Sequence, residues 1–223
     1  MPRRQTSPGR QGPMGSVRII GGEWRGRRVE IVTGGELRPT PDRVRETVFN
    51  WLMPLLPGAR CLDLYAGTGV LGLEALSRGA AESWFVERDP RAAAALEAML
   101  LRLGAQETAG APPGQPPGQP MGQPMGQPMG KGRVLATDAK RWLKTPPVAT
   151  FDVVFLDPPY AANNLADLCT LLARGWLTAQ AWVYLETSRS QSLPELPQGW
   201  QWHRESQAGD VRYALANVRS PQP

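Results

Sequence analysis

Asp157-Pro158-Pro159-Tyr160 places a carboxylate, a backbone carbonyl ahead of a proline and an aromatic ring within four residues. A carboxylate and a carbonyl held side by side accept both N–H bonds of an exocyclic amine, and an aromatic ring stacks on the flat base that carries it. The tetrapeptide directly follows the apolar run Phe151-Asp152-Val153-Val154-Phe155-Leu156, which reads as a buried parallel strand. Two prolines stop strand and helix alike, so the chain leaves the sheet stiffly at the strand's carboxyl end, where open α/β sheets bind ligands. The same residues also suit a proline-rich turn with Tyr160 as ordinary packing. Their surroundings decide between the two.

A second group lies upstream. Asp63-Leu64-Tyr65-Ala66-Gly67-Thr68-Gly69-Val70-Leu71-Gly72 carries glycines in G-x-G-x-x-G spacing between a strand pattern and a helix pattern. Glu87 ends the next strand pattern, where a carboxylate accepts both hydroxyls of an adenosine ribose. Both features suit NAD and S-adenosylmethionine equally. Asp63, four residues before the first glycine, discriminates in part: its charge sits badly beside a pyrophosphate and well beside a cationic sulfonium and amino-acid moiety. Asp138, just past a third strand pattern, either accepts from an adenine amine or caps the helix after it.

The elements that must hold these groups alternate. Strand patterns at Arg60–Tyr65, Ser83–Glu87, Arg133–Thr137, Phe151–Leu156 and Ala181–Thr187 are separated by helix patterns at Val70–Arg78, Pro90–Leu103, Ala139–Lys144 and Leu165–Ala173. Asp89 before Pro90 is a helix start with a capping side chain and a first-turn proline. Trp200–Ser206 and Val211–Val218, around Ala208-Gly209-Asp210, read as a terminal antiparallel hairpin. The expectation is a doubly wound, mostly parallel sheet with right-handed crossovers. Before it, Val44, Val48, Trp51 and Leu52 form the apolar stripe of an amphipathic helix whose start Thr40 and Asp42 would cap.

Charge is unevenly spread. Of the net +5, residues 1–50 contribute ten arginines against five acids, and the remainder of the chain balances. Arginine suits bidentate phosphate contacts, so the partner expected is an anionic polymer. Residues 1–16 read as a disordered Arg-rich leader, whereas apolar residues from Val17 to Val32 can build strands that present Arg25, Arg27 and Arg28. Residues 110–131 form a flexible low-complexity insert with Gly-Gln-Pro recurring every four residues, which excludes a collagen helix. It joins a helix end to a strand start, at the amino edge of the sheet, and is expected to be dispensable for chemistry. No stretch is long and apolar enough to span a membrane, so a cytoplasmic protein is expected. Cys61 and Cys169 read as small buried hydrophobes and form no metal-site spacing, and no metal is expected. His203, in the tail hairpin, reads as structural.

These residues together resemble the Rossmann-like S-adenosylmethionine methyltransferases. The N-terminal block is more specific: Arg18-Ile19-Ile20-Gly21-Gly22-Glu23-Trp24-Arg25-Gly26-Arg27, then Leu37-Arg38-Pro39-Thr40-Pro41-Asp42-Arg43-Val44-Arg45-Glu46-Thr47-Val48-Phe49-Asn50-Trp51-Leu52. With Gly72-Leu73-Glu74-Ala75-Leu76-Ser77-Arg78 it is similar to the RsmD family, which methylates the 2-amino group of a guanine in bacterial 16S ribosomal RNA. The resemblance runs from Val17 to Val218, interrupted by the insert. It implies a seven-stranded sheet, with residues 17–58 as an RNA-binding and cofactor-capping extension and residues 59–220 as the methyltransferase domain. It implies S-adenosylmethionine bound by Asp63, Tyr65, Ala66, Gly67, Thr68, Gly69, Glu87, Asp138, Thr40 and Arg38. Asp157, Pro158, Pro159 and Tyr160 would be catalytic, with Arg18, Trp24, Arg25, Arg27, Arg28 and Arg43 on RNA. The expected partner is 16S rRNA or the small ribosomal subunit, met by a monomer.

Three other readings remain open on the residues alone. An amino-methyltransferase acting on DNA adenine uses a similar tetrapeptide. An NAD-dependent oxidoreductase is compatible with the glycines and Glu87 but lacks a residue for hydride chemistry near a strand end. A non-catalytic RNA-binding or ribosome-assembly protein would have no need of an intact Asp157–Tyr160.

Overall fold

The computed structural model describes residues 15–32, 40–106, 130–159 and 164–219. The leader to residue 14, Arg38, Tyr160 and most of the Gly-Gln-Pro insert lie outside the described residues. Strands β1 (Ser16–Arg18) and β2 (Arg28–Glu30) pair antiparallel and precede helix α1 (Asp42–Leu52). Then follow β3 (Arg60–Leu64), α2 (Val70–Ser77), β4 (Glu82–Glu87), α3 (Pro90–Arg102), β5 (Lys131–Ala136) and α4 (Ala139–Leu143). The last elements are β6 (Phe151–Leu156), α5 (Leu165–Leu172), β7 (Leu177–Ser188), β8 (Trp200–Ala208) and β9 (Val211–Val218).

β3 to β9 form one seven-stranded sheet in the order β5-β4-β3-β6-β7-β9-β8. Only β9 runs against its neighbours. The alternating strands and helices thus give the doubly wound sheet and the terminal hairpin expected of them. Chain order reverses between β3 and β6, which makes their carboxyl ends the topological switch point. Asp63 and Asp157 sit at those two ends.

Strand periodicity sorts the core into two layers. Cys61, Val153, Phe155, Tyr184 and Leu215 pack with Val44, Val48, Phe49 and Leu73, on the face covered by α1 and α2. Leu62, Leu64, Val154, Leu156, Val183 and Leu185 pack with Leu143, Leu168, Leu172 and Trp176, on the face covered by α4 and α5. Both cysteines are free and buried, and burial pushes the Cys169 thiol up to about 12. Gln106 bridges Gly132 beside the first residue of β5, so the described residues that flank the insert lie at the amino edge of the sheet.

The N-terminal extension is continuous with the first layer. Val17, Ile19, Trp24 and Val29 are buried in the same cluster as Val48 and Leu73. Its turn docks on the end of α2: Glu23 N–H donates to the Ser77 carbonyl at 2.7 Å and Trp24 N–H to Ser77 Oγ at 2.9 Å. Gly22 has φ +74°, and a Cβ there would lie 1.8 Å from the Ser77 carbonyl oxygen. Only glycine fits at that contact.

Beneath this turn Arg45 is fully buried. Its guanidinium donates to the Arg18 carbonyl at 2.8 Å and pairs with Asp42 and with fully buried Glu74. Glu74 also accepts from the N–H groups of Ile20 and Gly21 and pairs with Arg78 at 3.1 Å. One carboxylate therefore joins α1, α2 and the extension.

Two expectations for this region fail. Trp24, expected to face RNA, is 5% exposed because Ser77 draws its backbone inward and its ring completes the core. Thr40 does not cap α1: the helix begins after Pro41 with no side-chain cap, and the Thr40 hydroxyl donates instead to Glu186 at 2.9 Å. Of the expected apolar stripe of α1, Val44, Val48 and Leu52 are buried in the core and Trp51 packs half-buried against it, with Phe49 added.

Candidate active site at the strand ends

Helix α2 starts from Gly69, whose φ of 72° is left-handed and which has no side chain to satisfy the first-turn N–H groups. Asp63 does this from the neighbouring strand, its Oδ2 accepting the Gly72 N–H at 2.9 Å. The glycine loop is thereby fixed to β3. Asp63 is 2% exposed, and burial pushes its carboxyl up to about 8, the Gly72 N–H opposing and the Glu87 charge adding to the rise.

Glu87, half-buried at the end of β4, holds the outer side of the same loop. It accepts from the Gly67 N–H and from the Asp89 N–H, each at 2.7 Å. These two contacts use one lone pair on each oxygen, so both oxygens keep acceptor capacity for hydroxyls. Tyr65, between Asp63 and Gly67, has φ 63°, the only left-handed non-glycine among the described residues. Such strain persists only where surrounding contacts hold it. Here Asn164, at the start of α5, donates to the Tyr65 hydroxyl at 3.3 Å. Ala66 and Thr68 complete the turn, with the Gly69 N–H closing on the Ala66 carbonyl at 2.6 Å.

Asp138 is exposed and takes the capping option, accepting the Arg141 N–H at 2.8 Å to start α4. Asp157 is half-buried, Pro158 buried and Pro159 exposed as the chain leaves β6. Burial raises the Asp157 carboxyl well above the ordinary range. The Glu186 and Asp63 charges add to the rise, and the Thr40 hydroxyl opposes it.

Glu186 is the acid that sequence reasoning missed. It lies near the end of β7, 2% exposed, with Tyr184 Oη donating to Oε1 at 2.5 Å and Thr40 Oγ1 to the same atom at 2.9 Å. Its burial also raises it, against both hydroxyls. Its signal was available: like Glu87 and Asp157, it is a carboxylate at the carboxyl end of an apolar strand. Asp63, Asp157 and Glu186 thus gather at the ends of three adjacent strands, β3, β6 and β7.

Arg18, Arg25, Arg27, Arg28 and Arg43 are exposed, with Arg18 also 3.6 Å from Asp42. Arg45, amid the same arginine run, is internal. A separate groove of about 330 Å³ lies between β2 and α3; it touches Gly67 and Thr68, but its described lining includes none of Asp63, Glu87, Asp157 or Glu186.

Comparison with known proteins bears on this arrangement. The family model described as conserved hypothetical protein 95 matches residues 17–111 and 126–217. The ribosomal RNA small subunit methyltransferase D of Escherichia coli (strain K12) is 40% identical over 205 residues, covering 90% of this chain and 89% of that protein. The Haemophilus influenzae protein of the same name is 38% identical over 203 residues, covering 90% and 93%. Among solved structures, the putative methyltransferase yhhF from Escherichia coli superimposes with a TM-score of 0.76 at 37% identity, covering 93% of this chain and 100% of that one.

Proposed function

Because the chain belongs to the RsmD family of ribosomal RNA small subunit methyltransferases, we propose that it methylates the exocyclic 2-amino group of a guanine in 16S ribosomal RNA, with S-adenosylmethionine as methyl donor. The observation that carries this reading is the meeting of Asp157 with Asp63 and the Glu87-anchored glycine loop at the switch point between β3 and β6. A methyl donor and an amine acceptor must meet at one place, and these strand ends supply acceptors for both.

The donor set fits a cationic cofactor. Asp63, Asp157 and Glu186 are all raised by burial, and Asp157 further by the charges of the other two, so a ligand bearing positive charge would favour their ionised forms. A pyrophosphate would add charge of the wrong sign. Asp63 would face the amino-acid and sulfonium end, Glu87 the ribose hydroxyls, and the loop from Tyr65 to Gly69 the body of the cofactor. When bound, S-adenosylmethionine supplies an electrophilic methyl group on a sulfonium.

The protein's own task is to direct an amine at that methyl group. The lone pair of a guanine 2-amino group is delocalised into the ring, which makes it a weak nucleophile. The Asp157 carboxylate and Pro158 carbonyl accept its two N–H bonds and orient the lone pair, while the Tyr160 ring stacks on the base. A base in that position has left any stack it belonged to, at a cost of a few kcal/mol that phosphate contacts offset. The exposed arginines of the extension and of α1 would make those contacts. Arg38, just upstream of Thr40, completes the cofactor side in this reading.

Labelled S-adenosylmethionine is incubated in turn with small ribosomal subunits, naked 16S rRNA and duplex DNA, and the products are digested to nucleosides. Label in N2-methylguanosine from either ribosomal substrate supports the reading. Label in methyladenine from DNA sinks it.

A further inference from the structure

Glu186 has no role in the mechanism above, yet it is among the most fully buried acids of the chain and stands beside the residue that holds the amine. β6 and β7 pair in parallel with Phe155 opposite Tyr184 and Leu156 opposite Leu185. One further step along both strands brings Asp157 beside Glu186, at the spacing of neighbouring strands, about 4.8 Å. Residues Tyr184 and Glu186 share a face with Phe155 and Asp157 by the same period of two. Tyr184 Oη and Thr40 Oγ1 both end on Glu186 Oε1, which fixes the side chain from its own strand and from the start of the N-terminal helix.

We propose that Glu186 is a positioning residue for methyl transfer: held by Tyr184 and Thr40 beside Asp157, its carboxylate equips Asp157 to take the proton that the amine gives up once methylated. This rests on the function proposed above. In the step concerned, the amine lone pair forms the new N–C bond as the C–S bond breaks and its electron pair goes to sulfur. The amine is then cationic and carries one N–H proton too many. Asp157 takes that proton, leaving a neutral methylated amine and a protonated carboxyl, which later releases it to water.

A lone exposed aspartate is a feeble acceptor at neutral pH. A second carboxylate beside it favours its protonated form, and a base that titrates near the working pH accepts best. The groups facing this pair come from every neighbouring element. Asp63 on β3 adds to the effect on Asp157; Glu186 is raised by its own burial, which the hydroxyls of Tyr184 on β7, itself near Tyr213 on β9, and of Thr40 before α1 oppose.

Two substitutions act on the pair in opposite directions. Glu186→Gln keeps an oxygen for both hydroxyls but removes the charge. Thr40→Val keeps the shape but removes a donor that stabilises the ionised forms. The test is methyl transfer in single turnover as a function of pH, with cofactor affinity measured separately by calorimetry. The acid limb is expected to move about one pH unit lower in E186Q, with a roughly tenfold slower plateau, and to higher pH in T40V. Glu186→Asp, which retains the charge, is expected to restore the limb toward that of the wild type. Limbs unmoved in both E186Q and T40V overturn the proposal; should E186Q not fold, as its melting curve would show, an unmoved limb in T40V overturns it alone. A wild-type protein that makes no N2-methylguanosine refutes the proposed function instead, so the two failures are distinct.

Discussion

Arg45 on α1 and Glu74 on α2 meet at 2.8 Å with both side chains fully buried, and the groups that touch them come from several parts of the N-terminal half. Arg18, Thr40 and Asp42 surround the guanidinium; Ile20, Gly21 and Arg78 surround the carboxylate. The pair is thus the joint through which the extension is fixed over α2, next to the glycine loop. Removing Arg45 leaves buried Glu74 with Arg78 as its remaining cationic partner, at a cost of up to about 3–5 kcal/mol. Arg45→Met is expected to lower the urea midpoint accordingly and to expose the extension to protease before the sheet unfolds. A midpoint within experimental error of the wild type would contradict this.

Asp63 carries a signed pH prediction. Its carboxyl titrates at about 8 in the folded chain against an ordinary value of 3.8. Between those two pH values the folded state holds a proton that the unfolded chain has released, so this group's contribution to stability falls as pH rises from about 4 to about 8. Asn at this position cannot titrate but still offers an oxygen to the Gly72 N–H. Relative to the wild type, D63N is therefore expected to gain roughly 1–3 kcal/mol on going from pH 5 to pH 8. Urea midpoints at the two pH values, with no cofactor present, decide it. The same substitution is expected to weaken S-adenosylmethionine binding about tenfold or more, since the carboxylate facing the cation is gone.

The exposed arginines make a prediction of another kind. Arg25, Arg27 and Arg28 lie together on the turn and strand of the extension, clear of the buried pair. Replacing all three with Gln is expected to raise the apparent KM for RNA about tenfold or more while leaving kcat within a few fold. The dependence of log KM on log salt should flatten by about 0.7–0.9 for each phosphate that an arginine no longer neutralises. A reduced kcat with an unchanged salt slope would place these residues outside the RNA-binding surface.

Much of the sheet was legible because its signals are local. Apolar runs of strand length, glycines at turns and Asp-Pro at a helix start each report on their own few residues, and alternation then dictates a doubly wound order. The site was legible to the same extent: Asp63, Glu87 and Asp157 end strands, and strand ends at a switch point converge. What escaped was pairing across long separations. Nothing near Arg45 announces Glu74, 29 residues away. Thr40 reads as a helix cap because its true partner, Glu186, is 146 residues distant. Trp24 reads as an RNA platform because its neighbours are arginines, whereas the Ser77 hydrogen bonds that turn it inward come from α2.

The central claim is that Asp157 holds the target amine rather than merely shaping a turn after β6. Asp157→Ala should bind S-adenosylmethionine within about threefold of the wild type by calorimetry, yet transfer label to 16S rRNA at a rate lower by about 10³-fold or more, on the order of 4 kcal/mol or more of transition-state stabilisation. Undiminished methylation by that variant would contradict the account.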